Sequence, residues 1–225
     1  MTKAQLTRLG GRLTRFALTA LSVYYLYRAI NYRFLTPNRL GPELFDKQLW
    51  YFAHALAALA ALAVLVGAPL QFMSSLRTER PGIHRLIGRV YVGGATLAAL
   101  SAIYLGATSE YEGSCLPIVL LGALWLFFTL SAWRCALNRN VAAHRLFMIK
   151  SYGLALVLVW LRVMYDLQSW LYFYVRDEVM RDATREWASW VVPLLVLELR
   201  LSWVPLLRTR TLSATRRTIT LEVQP

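Results

Sequence analysis

The sequence predicts an all-α integral membrane protein, a bundle of six spans, and three observations predict it. Of 225 residues, 57% are hydrophobic and only 16% charged, against about 25% charged in a soluble domain. Six apolar stretches each approach the ~20 residues needed to cross a hydrocarbon core. The strongly basic segments fall on every second connection, as the positive-inside rule requires. This composition excludes a soluble globular domain, a disordered chain and a fibrous repeat. The spans take more than half the chain and leave no room for a separate soluble domain.

The first span is expected at about 13–35, after a start carrying Lys3, Arg8, Arg12 and Arg15. Its tyrosines (Tyr24, Tyr25, Tyr27) and the lack of a small-residue cleavage site make it an uncleaved span, not a signal peptide. Arg28 and Arg33 then snorkel toward the far side. Pro37, Gly41 and Pro42 break the chain before the second span at 49–73, where Pro69 introduces a kink and Gln71 is free to hydrogen-bond within the bundle. The third span is expected at 86–107, the fourth at 116–136, the fifth at 146–172 and the sixth at 187–207. Residues 174–186 read as a mixed loop, and 208–225 as a basic cytoplasmic tail.

The charges orient the bundle. The N-terminus carries +4, the second-to-third connection with Arg89 +3, the fourth-to-fifth with Lys150 +4, and the tail +3. The alternate connections carry +2, −2 and, counting Asp166, −2. Both termini are therefore expected in the cytoplasm. Loop polarity also accounts for the net charge of +13, so no nucleic acid partner is needed. Cys115 and Cys135 flank the fourth span, about 30 Å apart by helical rise, too far for a disulfide.

The third and fifth spans open alike, with His84-Arg85-Leu86 and His144-Arg145-Leu146. A basic residue follows each (Arg89, Lys150), then a tyrosine (Tyr91, Tyr152) and a glycine (Gly93, Gly153), the register slipping by one. Spans two and three and spans four and five thus read as a parallel repeat, which brings His84 and His144 face to face at one depth. Two histidines on different helices suit axial ligation of haem b. Gly88 would give the ring room, and Arg85, Arg89, Arg145 and Lys150 would meet its propionates. Met148 at the place corresponding to Gly88, and the terminal position of both histidines, count against that reading. The same residues also make an anion site for a lipid or quinone headgroup, or an ordinary interfacial cap. A second polar group comprises His54, Arg162, Asp166 and Glu198. Charges at depth need partners, so an Arg162–Glu198 or Arg162–Asp166 ion pair is expected, serving as a structural clamp or as part of a proton or transport path. Soluble-enzyme motifs are absent.

From His54 to about Asp166 the chain resembles the bacterial predicted membrane proteins of domain of unknown function 2306. The resemblance rests on His54, GAPLQF at 67–72, Arg77, HRLIGRVYV at 84–92, AHRLFMIKSY at 143–152 and Arg162. Lys150 stands where arginine is expected. The resemblance implies a multi-span protein of the bacterial inner membrane and supplies no activity. The histidine-bearing helices are more loosely similar in plan to transmembrane b-type cytochromes. The leading expectation is a haem b redox protein, or an accessory to one with a redox partner. The alternatives are a headgroup-binding module in the lipid bilayer and a small transporter.

Overall fold

The computed structural model describes residues 70–109 and 113–207, with residues 19–20, 23–24, 27–28, 56, 64–65 and 67 before them. Most of the first two expected spans, His54, Pro69, residues 110–112 and the expected tail at 208–225 lie outside the described residues. Everything regular among the described residues is helical. A short α1 (Ser74–Glu79) leads into α2 (Pro81–Ala107), α3 (Cys115–Leu137), α4 (Val141–Ala155), α5 (Val157–Asp166), α6 (Gln168–Leu171) and α7 (Glu178–Glu198), which continues through a π-helical turn, Leu199–Trp203. Among the described residues, four runs are long and apolar enough to cross a membrane: α2, α3, α4 with α5 (Val141–Asp166), and α7 with its continuation (Glu178–Leu207). At 1.5 Å per residue they measure about 35 to 45 Å, more than the roughly 30 Å hydrocarbon core. Their outer surfaces are apolar, with Leu86 61% and Phe127 56% exposed, as lipid-facing residues are.

The expected bounds hold best where an apolar run ends in plain breakers, as at 116–136, and fail where a cap extends the helix. Proline at the first helical position starts α2 at Pro81, five residues early. Asn140 caps α4 by accepting from the Ala143 amide at 3.1 Å. Asp177 caps α7 through the Met180 amide at 2.7 Å, so most of the expected 174–186 loop is helix. The fifth span is not regular throughout: Val159 N–H bonds Leu156 and Trp170 N–H bonds Leu167, three residues back instead of four. These tighter turns divide it into α4, α5 and α6.

Helices α2 and α3 form an antiparallel hairpin with a seam of small residues. Ala95, Ala98, Ala99 and Gly106 on α2 are buried, as are Gly122, Thr129 and Ala132 on α3. A Cβ on Gly122 would sit 2.8 Å from the Ala99 carbonyl oxygen and 2.7 Å from Ile103 Cγ1. Only glycine lets the backbones come this close. Helix α3 turns into α4 within three residues. Arg139 takes a left-handed backbone (φ 57°), while the amides of Arg139 and Asn140 bond back to Ala136 and Cys135. This is the Schellman closure, with arginine in the place usually held by glycine. Helices α3 and α4 are then packed along their length, and α7 lies against α4 and α5. The near end of the bundle gathers Pro81, Leu137, Val141 and Leu207; the far end gathers Ala107, Cys115, Asp166 and Glu178.

Candidate functional site

His84 and His144 each occupy the fourth position of their helix, counted from Pro81 and Val141. Seven residues further along each helix, Tyr91 and Ser151 meet at 3.0 Å. Equal offsets from one contact set the two histidines at one level, about 10 Å nearer the helix starts. The ring nitrogens differ. His144 Nδ1 is 2.9 Å from the Ala132 carbonyl oxygen. It therefore carries the proton and donates, leaving Nε2 as the free lone pair. His84 Nδ1 is buried and has no hydrogen-bond partner.

The residues grouped with the histidines divide into two kinds. Arg85, Arg89 and Arg145 are exposed around the near end. Gly88 and Lys150 have other occupations. Gln71 is buried, and its amide donates to the His84 carbonyl at 2.8 Å. The space beside Gly88 belongs to this amide, since a Cβ there would lie 3.7 Å from Gln71 Oε1. Lys150 turns into the bundle and pairs with Glu198 at 2.5 Å.

The Glu198 contact corrects one of the two expected pairings, Arg162–Glu198. Glu198 pairs with Lys150 and not with Arg162, and its second oxygen accepts from Ser202 at 2.8 Å. The ammonium also lies 5.6 Å from the centre of the Phe128 ring, a cation–π distance. The physical reason is depth. Counted from a helix start at 187, Glu198 falls level with Arg162. Counted from the observed start at Glu178, it lies about 30 Å down and level with Lys150. Both are nine residues from the near ends of their runs, Leu207 and Val141. At the far end Asp166 takes Arg28 at 2.6 Å, and Arg162 is exposed. Asp166 and Glu198 thus serve different ion pairs.

Two groups of polar residues escaped the sequence reading. The first is a run of buried hydroxyls. Thr129 donates to the Trp125 carbonyl at 2.8 Å and lies 2.8 Å from Ser151 Oγ. Each hydroxyl has one hydrogen, so Ser151 must donate to Thr129 and Tyr91 to Ser151. The run ties α2, α3 and α4 together. Seven-residue spacing from each histidine would have found Tyr91 and Ser151. Pairing Tyr91 with Tyr152 hid it, since Tyr152 is one residue out of register and packs against Phe72 instead, ring centres 5.7 Å apart. The second group lies in the first turns of α7. Arg185 is buried, salt-bridged to Asp182 at 2.9 Å, bonded to Gln168 at 3.1 Å and set over the Tyr165 ring at 4.8 Å. Reading 174–186 as a loop left this group unread.

A family model described as "Predicted membrane protein (DUF2306)" matches residues 51–201, covering α1 to α7 and most of the π-helical turn. No curated protein and no solved structure matches the chain.

Proposed function

From the premise that the chain belongs to this family of predicted membrane proteins, we propose that its near end is a ligand site for haem b, held between His84 and His144. The carrying observation is the pair itself. Two histidines sit level on parallel helices, and His144 is held through Nδ1 by a peptide carbonyl, the arrangement that orients a metal-binding imidazole. Arg85, Arg89 and Arg145 would meet the propionates. Gly88 and Lys150 drop out of the set, because Gln71 and Glu198 engage them. Bound haem would supply one-electron chemistry, and the chain's own part is to fix ring orientation and surround the site with positive charge. In this reading the protein is a six-span bundle of the bacterial inner membrane with both termini inside, acting as a redox protein or an accessory to one.

The test is the visible spectrum of the protein purified in mild detergent, before and after dithionite. A Soret band that shifts on reduction, near one haem per chain, and that is lost in His84→Ala and His144→Ala, supports the reading. Protein that stays colourless with haem in excess sinks it. A second reading rests on the exposure of Arg85, Arg89 and Arg145: the same end binds an anionic lipid or quinone headgroup. Colourless protein whose affinity for anionic vesicles falls when Arg85 and Arg145 are neutralised selects that reading. In a transport reading Asp166 and Glu198 would act from separate ion pairs, with Arg28 and with Lys150.

A further inference from the structure

The connection from α5 to α7 holds the two most exposed large hydrophobic side chains among the described residues, Phe173 at 79% and Trp170 at 74%, and beside them Tyr174 at 66%. Three rings exposed to this degree present on the order of 400 Å². A patch of that size marks an interaction surface. The chain holds these rings out in a fixed arrangement. The amides of Trp170, Tyr172 and Val175 bond back to Leu167, Gln168 and Tyr172, each at 3.0 Å. Tyr172, between the exposed rings, turns inward: it is buried, and its hydroxyl donates to Met164 Sδ at 3.5 Å. Gln168 accepts from the buried Arg185 of α7 at 3.1 Å. Phe173 and Tyr174 brace one another edge to face, ring centres 5.6 Å apart.

Position and chemistry name the partner. The run Val141–Asp166 measures about 39 Å, more than the roughly 30 Å hydrocarbon core. Residues 170–174 come just past its far end, and so at headgroup level. The exposed strip of α5 leads up to them: Leu158, Arg162 and Tyr165 share one face, and no residue from 165 to 170 is buried. The patch therefore continues the lipid-facing side of the span. Trp and Tyr, apolar in the ring and polar at one edge, are the residues that settle between headgroups and acyl chains. A docked protein would call for about 800 Å² on each side, twice what the rings offer. We infer that residues 170–174 are an interfacial anchor, laid into the far-end headgroup layer with phospholipid as its partner. The exposed charges that follow, Arg176, Asp177 and Glu178, are of mixed sign. The anchor thus takes zwitterionic lipid as readily as anionic, unlike the basic near end. The inference is independent of the histidine site.

A fluorescent reporter beside the rings tests it. Ser169 is exposed, and Ser169→Cys leaves all three aromatics in place. In the full chain with Cys115→Ser and Cys135→Ser, this cysteine is labelled with a polarity-sensitive dye. The protein is placed in phosphatidylcholine nanodiscs, which leave both faces open to water. The expected result is blue-shifted emission, quenched by lipids spin-labelled close to the headgroup and shielded from aqueous iodide. The pattern should be the same when phosphatidylglycerol is added. Trp170→Ser with Phe173→Ser, both at exposed positions, should move the emission to the red and open the dye to iodide, with the unfolding midpoint in denaturing detergent unchanged. Iodide quenching before those substitutions would overturn the lipid contact. Lipid quenching that survives them would overturn the part assigned to the rings. Shielding from both quenchers would mean that protein covers the patch, either a second copy or this chain's own residues 36–48, and would overturn the anchor. Lipid quenching seen only with phosphatidylglycerol would overturn its indifference to headgroup charge.

Discussion

Single polar atoms inside the bundle carry much of its specificity. Lys150 and Glu198 lie where water is scarce, and each is costly without the other. Lys150→Met alone and Glu198→Gln alone should each destabilise by about 3–5 kcal/mol, whereas the double substitution should recover most of that loss. Unfolding in graded denaturing detergent, read as a double-mutant cycle, checks this; purely additive losses would mean that the pair is not coupled. Tyr91→Phe removes the first hydroxyl of the run and leaves Ser151 still bonded to Thr129. Its cost should be small, about 0.6–2 kcal/mol, the range for hydrogen bonds between transmembrane helices. Thr129→Val should cost more, because it strands the Ser151 hydrogen in a buried site. A reversed order of these two in the same unfolding assay would contradict the deduced donor directions.

At the level of helices, the two hairpin devices predict opposite effects. Gly122→Leu must displace the Ala99 backbone or the Ile103 side chain, so α2 and α3 separate. A loss of about 1–3 kcal/mol is expected, as for other overpacked sites. Arg139→Gly relieves a left-handed backbone carried by a side-chained residue and should raise the midpoint of thermal unfolding by the equivalent of about 1 kcal/mol. The same elements show what the sequence could and could not reveal. The existence of the described spans was legible from apolar length alone, and the fourth was placed to within a residue of Cys115–Leu137. Helix starts were not, because Pro81, Asn140 and Asp177 act through one local bond each, outside the apolar run. That error propagated: beginning the last span nine residues late put Glu198 beside Arg162 instead of Lys150 and concealed Arg185. The histidine pair was legible because its sequence context repeats. The occupations of Gly88 and Lys150 were not, since Gln71 and Glu198 reach them from distant parts of the chain.

The arrangement of the whole molecule can be read from its own cysteines. Cys115 is exposed at the far end, and Cys135 is half-exposed at the near end. If the near end is cytoplasmic, as the basic connections predict, a membrane-impermeant maleimide should label Cys115 in intact spheroplasts. Cys135 should react only after the membrane is opened. The reverse pattern would invert the bundle, and with it the side from which any electron or headgroup reaches His84 and His144.

The hydroxyl run has a consequence for an energised membrane. Proton hopping requires every member of a chain to accept on one side and release on the other. From Tyr91 to Ser151 to Thr129 the hydrogens all point one way, and the last rests on the Trp125 carbonyl, a group that has no hydrogen to pass on. This run where α2, α3 and α4 meet is therefore a blind alley for protons: polar enough to fasten three helices, and closed at its last carbonyl.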